Sequence, residues 1–150
     1  MEETDKIAAG WLAEISSKYA ESGEAVIAGL SGHLGAGKTA FVKAVARAMG
    51  IKETVTSPTF VIMKIYETLL TSPTIKHSTV VTAPAKFSRL VHIDAYRLEN
   101  AQELEALRFE ELVTNKNNLI MVEWPENVGL RGKESLRFKL MGENEIQIKD

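Results

Sequence analysis

The sequence predicts an α/β fold in which a mixed sheet has a parallel centre, antiparallel additions and flanking helices. A glycine-rich motif at residues 32–39 lies between a short apolar run at 25–30 and a segment with helical spacing of apolar residues. Two further short apolar runs, at 90–94 and 119–123, each end in an acidic residue. Such short continuous runs are typical of strands that are buried on both faces, as in a parallel sheet.

Composition predicts one globular domain over residues 1–150. The chain has 45% apolar and 25% charged residues, which is ordinary for a folded protein of this length. Its net charge of −2 gives no basic field that would attract nucleic acid. It has no cysteine, which excludes disulfides and thiolate metal sites. The acidic start and the absence of a long apolar run favour a soluble cytoplasmic protein without membrane association.

The first half of the chain predicts a helix, a strand and a second helix. Residues 4–21 have apolar residues at every fourth position, and Thr4 is the expected N-cap. The run at 25–30 is the expected strand. After the glycine-rich motif a second helix is expected to end at Gly50. The residues that mark this second helix are Phe41, Val42, Val45 and Met49.

The second half predicts the remaining sheet and smaller helices. Residues 61–66 are expected to form a strand, and 68–88 a long hairpin or surface excursion, because its two prolines disfavour a central strand. Residues 101–113 predict one or two short helices. The alternating segments at 136–140 and 146–148, joined by Gly-Glu-Asn, predict a hairpin.

The motif at 32–39, Gly-His-Leu-Gly-Ala-Gly-Lys-Thr, fills every required position of the phosphate-binding P-loop. Glycines let the backbone turn tightly and bring N–H groups close to phosphate oxygens. Lys38 supplies a cation for the β- and γ-phosphates, and the hydroxyl of Thr39 is suited to Mg²⁺. The helix that follows adds unpaired N–H groups at its start. The predicted nucleotide-binding residues of this motif are Gly32, Leu34, Gly35, Ala36, Gly37, Lys38 and Thr39.

Two acidic residues are expected beside the P-loop. Ligands of open α/β sheets bind at the carboxyl ends of the strands. Asp94 and Glu123 each end a predicted strand, so they should converge with the motif. A P-loop ATPase needs an acid near Mg²⁺ and a group that positions the attacking water. The residues alone leave open which acid does which, and each also suits a helix cap or a surface ion pair. Thr59 is placed to sense the γ-phosphate, and Arg97 to stabilise charge or to form a surface salt bridge.

Adenine is the expected base, and a histidine metal site is not expected. The segment Asn-Lys-Asn-Asn at 115–118 lacks the aspartate of a guanine-reading motif and precedes a strand. His33, His77 and His92 do not have metal-ligand spacing. His92, within a strand, is interpreted as a packed or hydrogen-bonded residue.

Four blocks taken together are similar to the TsaE (formerly YjeE) family, the P-loop ATPases of bacterial tRNA threonylcarbamoyladenosine biosynthesis. The resemblance covers roughly residues 4–130, and its blocks are 34–39, 57–60, 92–98 and 122–126. It implies a small single-domain α/β ATPase that uses ATP and Mg²⁺. Two departures are visible. The family commonly has Asp where this chain has His33, and the excursion at 68–88 is longer than in many members, either as a partner contact or as a tolerated insertion.

The resemblance also implies roles for individual residues. Thr39 and Glu123 would lie at Mg²⁺, and Asp94 is similar to the proposed catalytic acid. Thr59 lies in the switch loop, and Trp124 matches the signature tryptophan next to the nucleotide. The catalytic residues expected on this basis are Asp94, Glu123, Lys38 and Thr59.

The function that the resemblance implies is ATP hydrolysis in the service of a protein complex. That complex contains the threonylcarbamoyl transferase and a paralogous subunit, and hydrolysis would reset it between turnovers. This chain would contact tRNA only indirectly, through that complex. The residues leave two alternatives: a small-molecule kinase that uses the same P-loop, and a nucleotide-binding regulator that switches without hydrolysis.

Overall fold

A computed structural model describes residues 3–68 and 86–138 and the backbone of 146–147. Within these residues six strands form one sheet. The strands are β1 Val26–Gly32, β2 Met63–Glu67, β3 Arg89–Asp94, β4 Asn118–Glu123, β5 Glu134–Phe138 and β6 Ile146–Gln147. The α-helices are α1 Glu3–Lys18, α2 Lys38–Ala48, α3 Ala101–Glu105 and α4 Phe109–Val113, and a 3₁₀ helix spans Pro125–Val128.

The sheet has the order β2-β3-β4-β1-β5-β6. The four central strands, β3, β4, β1 and β5, are parallel, while β2 and β6 add to the edges in antiparallel fashion. This confirms the predicted mixed sheet with a parallel centre. Strand β5 belongs to that centre because it pairs with β1, and its antiparallel partner is β6. The register places Asp94 beside Glu123, and Glu123 beside Leu30.

Helices cover both faces of the sheet. On one face α1 and α2 pack on side chains of β1, β4 and β5, with Phe41 between Trp11 and Phe138 at ring-centroid distances of 5.5 Å. On the other face α3, α4 and the 3₁₀ helix cover a second cluster that includes Ile93 and Val122. Strand β4 is buried along its whole length, which explains its continuous apolar sequence. Among the described residues no helix is long and apolar enough to cross a membrane.

Several predicted boundaries shift. Helix α1 is already helical at Glu3, so Thr4 lies inside its first turn and the predicted N-cap is wrong. The acidic side chains of Glu3 and Asp5 in that turn complement the helix dipole instead. The predicted strand at 61–66 begins two residues later. The reason is a turn after Pro58, whose carbonyl accepts from the N–H groups of the two residues at 61 and 62.

The region 101–113 forms two helices, because Arg108 takes a left-handed conformation with φ 58° and interrupts the pattern. Helix α2 ends as predicted, with Gly50 at φ 79° directly after the last turn. Residues 69–85 of the predicted excursion, and the turn of the predicted C-terminal hairpin, lie outside the described residues.

Replacing Gly132 tests the close approach of β5 to β1. A Cβ atom at Gly132 would lie 2.6 Å from the carbonyl oxygen of Ile27, so the backbone must shift. We expect Gly132→Ala to lower the free energy of unfolding by about 1–3 kcal/mol, as overpacking does. Urea unfolding followed by circular dichroism measures it.

Gly10→Ala is the matched control. Gly10 is exposed on α1, and a Cβ there meets no atom within 4 Å. This variant should be more stable by about 1 kcal/mol, because alanine favours helix. Equal stability of Gly132→Ala and the parent would show that β5 does not pass β1 this closely.

Candidate functional site

The P-loop motif forms the turn between β1 and α2. Strand β1 runs to Gly32, and α2 begins at Lys38. Gly35 and Gly37 have φ angles of 77° and 100°, a left-handed region that favours glycine. Gly37 is the N-cap of α2 and has no side chain to occupy the first N–H groups of the helix. These groups are therefore available to an anion at the start of α2.

The ends of β3 and β4 meet the P-loop at the same edge of the sheet. Asp94 and Glu123 are the last residues of their strands and are paired in register. Two backbone hydrogen bonds hold this edge together. Ala95 donates to the carbonyl of Glu123 at 2.9 Å, and Trp124 donates to the carbonyl of Leu30 at 3.1 Å. The predicted convergence of the two acids with the motif is thus present.

The Glu123 carboxylate is held at both oxygens. Its Oε1 accepts a hydrogen bond of 2.8 Å from the hydroxyl of Thr39, the last residue of the motif. Its Oε2 lies 3.0 Å from Nε2 of His92, and both side chains are buried. A hydroxyl and a carboxylate oxygen are the kinds of ligand that Mg²⁺ accepts. Thr39 and Glu123 therefore fit the predicted cation site.

The Asp94 carboxylate is likewise held at both oxygens. Thr59 donates from its hydroxyl to Oδ2 at 2.8 Å, and the backbone N–H of Tyr96 donates to Oδ1 at 3.0 Å. The hydroxyl of Ser57 lies 2.7 Å from that of Thr59. Thr59, which the sequence analysis singled out, therefore contacts the Asp94 carboxylate directly.

The Lys38 ammonium is held by its own loop. Its Nζ donates to the carbonyls of Gly32 at 2.5 Å and His33 at 2.9 Å. It also lies 4.4 Å from the ring centroid of Trp124, a cation–π distance. Burial lowers the pKa of Lys38 below the usual lysine value, while the nearby carboxylates, Glu123 first, act in the opposite direction. A phosphate anion would give this buried ammonium a charged acceptor in place of the two neutral carbonyls.

Trp124 directly follows Glu123 and forms one wall of the site. Its backbone has φ 59° and ψ 49°, and it precedes the 3₁₀ helix. The indole ring packs on Tyr96, with the centroids 5.3 Å apart and the planes tilted by 55°. Trp124 thus contacts both the P-loop lysine and the segment that follows Asp94.

A cavity of about 350 Å³ lies between these residues, in the range of small-ligand sites. The structure brings most of the predicted site residues to it, while Gly32, Ala36 and Arg97 do not line it. Arg97 instead lies over the exposed ring of Phe60. The predicted residues that line the cavity are Leu34, Gly35, Gly37, Lys38, Thr39, Thr59, Asp94, Glu123 and Trp124.

Three further lining residues, Ala40, Ser57 and Tyr96, were not singled out by the sequence. Ser57 and Tyr96 lie two residues from Thr59 and Asp94, within the blocks that carry the family resemblance, and this proximity was the available signal. No cluster of three or more His, Cys, Asp or Glu side chains suited to a metal occurs in the part of the chain that the structure describes. A cation here would therefore depend on Thr39, on Glu123 and on ligand oxygens, as Mg²⁺ commonly does at phosphates.

The glycine-rich turn between a parallel strand and a helix, with acids at the ends of two neighbouring strands, defines a fold of the P-loop NTPase class. The chain belongs to the TsaE family. The family model described as "Threonylcarbamoyl adenosine biosynthesis protein TsaE" matches residues 1–149.

Two similar proteins and one solved structure can be compared with this chain. A Streptomyces coelicolor protein named "tRNA threonylcarbamoyladenosine biosynthesis protein TsaE" is 36% identical over 111 residues, which are 73% of this chain and 62% of the relative. A Treponema pallidum protein of the same name is 32% identical over 139 residues, which are 89% of this chain and 87% of the relative. The crystal structure of Bacillus subtilus YdiB aligns at a TM-score of 0.49 and 26% identity, over 90% of this chain and 67% of that chain.

Replacing Thr59 tests its contact with Asp94. Thr59→Val keeps the shape of the side chain and removes the donor, which leaves an oxygen of the buried Asp94 without this partner. We expect the free energy of unfolding to fall by about 1 kcal/mol, the typical net value of such a bond. Thr54→Val, the same exchange at an exposed position, is the control and should change stability by at most about 0.5 kcal/mol. If both variants matched the parent in urea unfolding, the contact would not persist in solution.

Proposed function

We propose that this chain binds ATP with Mg²⁺ in the cavity and hydrolyses it as the ATPase of tRNA threonylcarbamoyladenosine biosynthesis. One observation carries the proposal. The P-loop residues Lys38 and Thr39 share one cavity with the two strand-end acids, Asp94 and Glu123. Membership of the TsaE family supports the pathway, and the proposed ATPase domain spans residues 1–150.

The proposed chemistry assigns a task to each group. Lys38 exchanges the carbonyls of Gly32 and His33 for phosphate oxygens, and the N–H groups at the start of α2 bind the same anion. Thr39 and Glu123 would hold Mg²⁺, which would offset charge on the phosphate oxygens. Asp94 orients the attacking water and accepts its proton, and Trp124 supports Lys38 from the side.

Thr59 would link Asp94 to the nucleotide. In the described structure its hydroxyl is a donor to Asp94. A γ-phosphate oxygen is a stronger, charged acceptor and can compete for that hydroxyl. We propose that this exchange frees one oxygen of Asp94 for water only when the third phosphate is present, which would connect nucleotide state with catalytic competence.

The proposed partners are the threonylcarbamoyl transferase and its paralogous subunit. We infer that hydrolysis resets their complex between turnovers, and that tRNA is contacted through the complex. Membership of the TsaE family is what favours a protein complex, and not a phosphorylated metabolite, as the recipient of the free energy of hydrolysis.

The test of the proposed function is ATP hydrolysis by the purified chain, with and without the two partner proteins and tRNA. We expect slow release of phosphate by the chain alone and several-fold stimulation by the partners. Asp94→Asn should bind ATP and show hydrolysis reduced about 100-fold or more, in the range lost with a general base. Phosphate release that the partners leave unchanged, or phosphorylation of a metabolite in their absence, would contradict the proposal.

Replacing the P-loop lysine tests nucleotide binding by itself. Lys38→Ala removes a charge-assisted contact, and we expect ADP affinity to fall about tenfold or more, equivalent to 1.5–3 kcal/mol. Lys43→Ala is the matched control, because Lys43 is on the same helix and exposed. Calorimetric titration with ADP measures both. Equal ADP affinity in the two variants would show that Lys38 does not contribute to nucleotide binding.

A further inference from the structure

His92 occupies an unusual place for a histidine. It lies within β3, two residues before Asp94, and its side chain has no exposed surface. The register places it between Met121 of β4 and Lys64 of β2, and Met121 belongs to the apolar core on this face of the sheet. Burying an imidazole in such surroundings is unfavourable unless its nitrogen atoms find partners. Packing alone therefore does not account for this residue.

One nitrogen of the ring has a partner and the other has none. Nε2 lies 3.0 Å from Oε2 of Glu123. Nδ1 has no hydrogen-bond partner in the described part of the chain. Because a carboxylate only accepts hydrogen bonds, the proton of this contact belongs to Nε2. The polar interaction that the ring makes here is thus directed at Glu123.

This interaction restricts the orientation of the Glu123 carboxylate relative to the P-loop. The bond from Thr39 to Oε1 fixes one oxygen but leaves the plane of the carboxylate free to rotate about it. A second bond, on the other oxygen and from the side of the core, removes that freedom. Groups behind a metal ligand commonly set its orientation in this way.

We propose that His92 is a positioning residue for the cation site: it holds Oε2 of Glu123 so that Oε1 faces Thr39, the second residue that would hold Mg²⁺. This inference rests on the proposed function, since it concerns the cation that accompanies the nucleotide. His92 does not touch the nucleotide or the cation. Its effect passes entirely through the carboxylate of Glu123.

Asparagine and glutamine at position 92 separate positioning from simple filling of the core. The amide nitrogen of glutamine reaches about as far along the side chain as Nε2, whereas that of asparagine corresponds to Nδ1. His92→Gln can therefore still donate to Glu123, and His92→Asn cannot. Both variants place a polar amide at the same buried position, so the loss of the aromatic ring is common to them.

The experiment measures the affinity of the non-hydrolysable ATP analogue AMP-PNP by calorimetry, in Mg²⁺ and in EDTA. The readout is the ratio of the Kd in EDTA to the Kd in Mg²⁺. We expect His92→Asn to lower this ratio about tenfold and His92→Gln to keep it within about threefold of the parent, the scale of losses seen behind metal ligands. Affinity in EDTA, which does not depend on the cation, should stay unchanged and shows that each variant is folded.

A double variant tests the route of the effect. If His92 acts only through Glu123, then His92→Asn combined with Glu123→Gln lowers the ratio no further than Glu123→Gln alone. The inference would be overturned if the ratio in the double variant fell by the product of the two single-variant fold-changes. A ratio in His92→Asn equal to that of the parent, or a parent ratio of one, would overturn it as well. Failure of the parent to bind AMP-PNP under either condition would instead refute the proposed function.

Discussion

Parallel pairing of β4 with both β3 and β1 brings the ends of three strands to one edge of the sheet. Because the register is fixed along the whole ladder, Asp94, Glu123 and the start of the P-loop cannot move independently. A slip of one residue would turn each side chain to the opposite face of the sheet. The buried apolar residues of β4 prevent such a slip, since either face must fit a helical layer. The geometry of the site is thus fixed by packing far from it.

Much of this arrangement could be predicted from the sequence. The P-loop motif is local, so its residues specify the turn, and short apolar runs indicate buried parallel strands. Together they predicted the mixed sheet and the meeting of Asp94 and Glu123 at one edge. The position of Thr59 after the P-loop helix singled it out, the family resemblance added Trp124, and both residues line the cavity. The catalytic and metal-binding roles of these residues stay predictions.

The contacts inside the site could not be predicted, because they join residues that are distant in sequence. Thr59 meets Asp94 across 35 positions, and Thr39 meets Glu123 across 84. No local pattern records which oxygen a side chain faces. The interruption between α3 and α4 at Arg108 could not be located from the sequence for a different reason. It depends on a left-handed backbone conformation at a residue that is not glycine. Local propensity describes the common conformations, and such positions depart from them.

The backbone at Trp124 sets limits on how this protein can be stabilised. A left-handed conformation costs a side chain with a Cβ atom about 1 kcal/mol, and glycine or asparagine would remove much of that cost. Either exchange would also lose the packing of the indole ring on Tyr96 and on the core cluster that contains Ile93 and Val122, which contributes more to stability than the backbone cost takes away. The same exchange would remove the wall shared by Lys38 and Tyr96. The backbone cost at Trp124 is thus retained together with the packing and the wall beside the P-loop lysine, and a stabilised variant of this protein should gain its stability elsewhere.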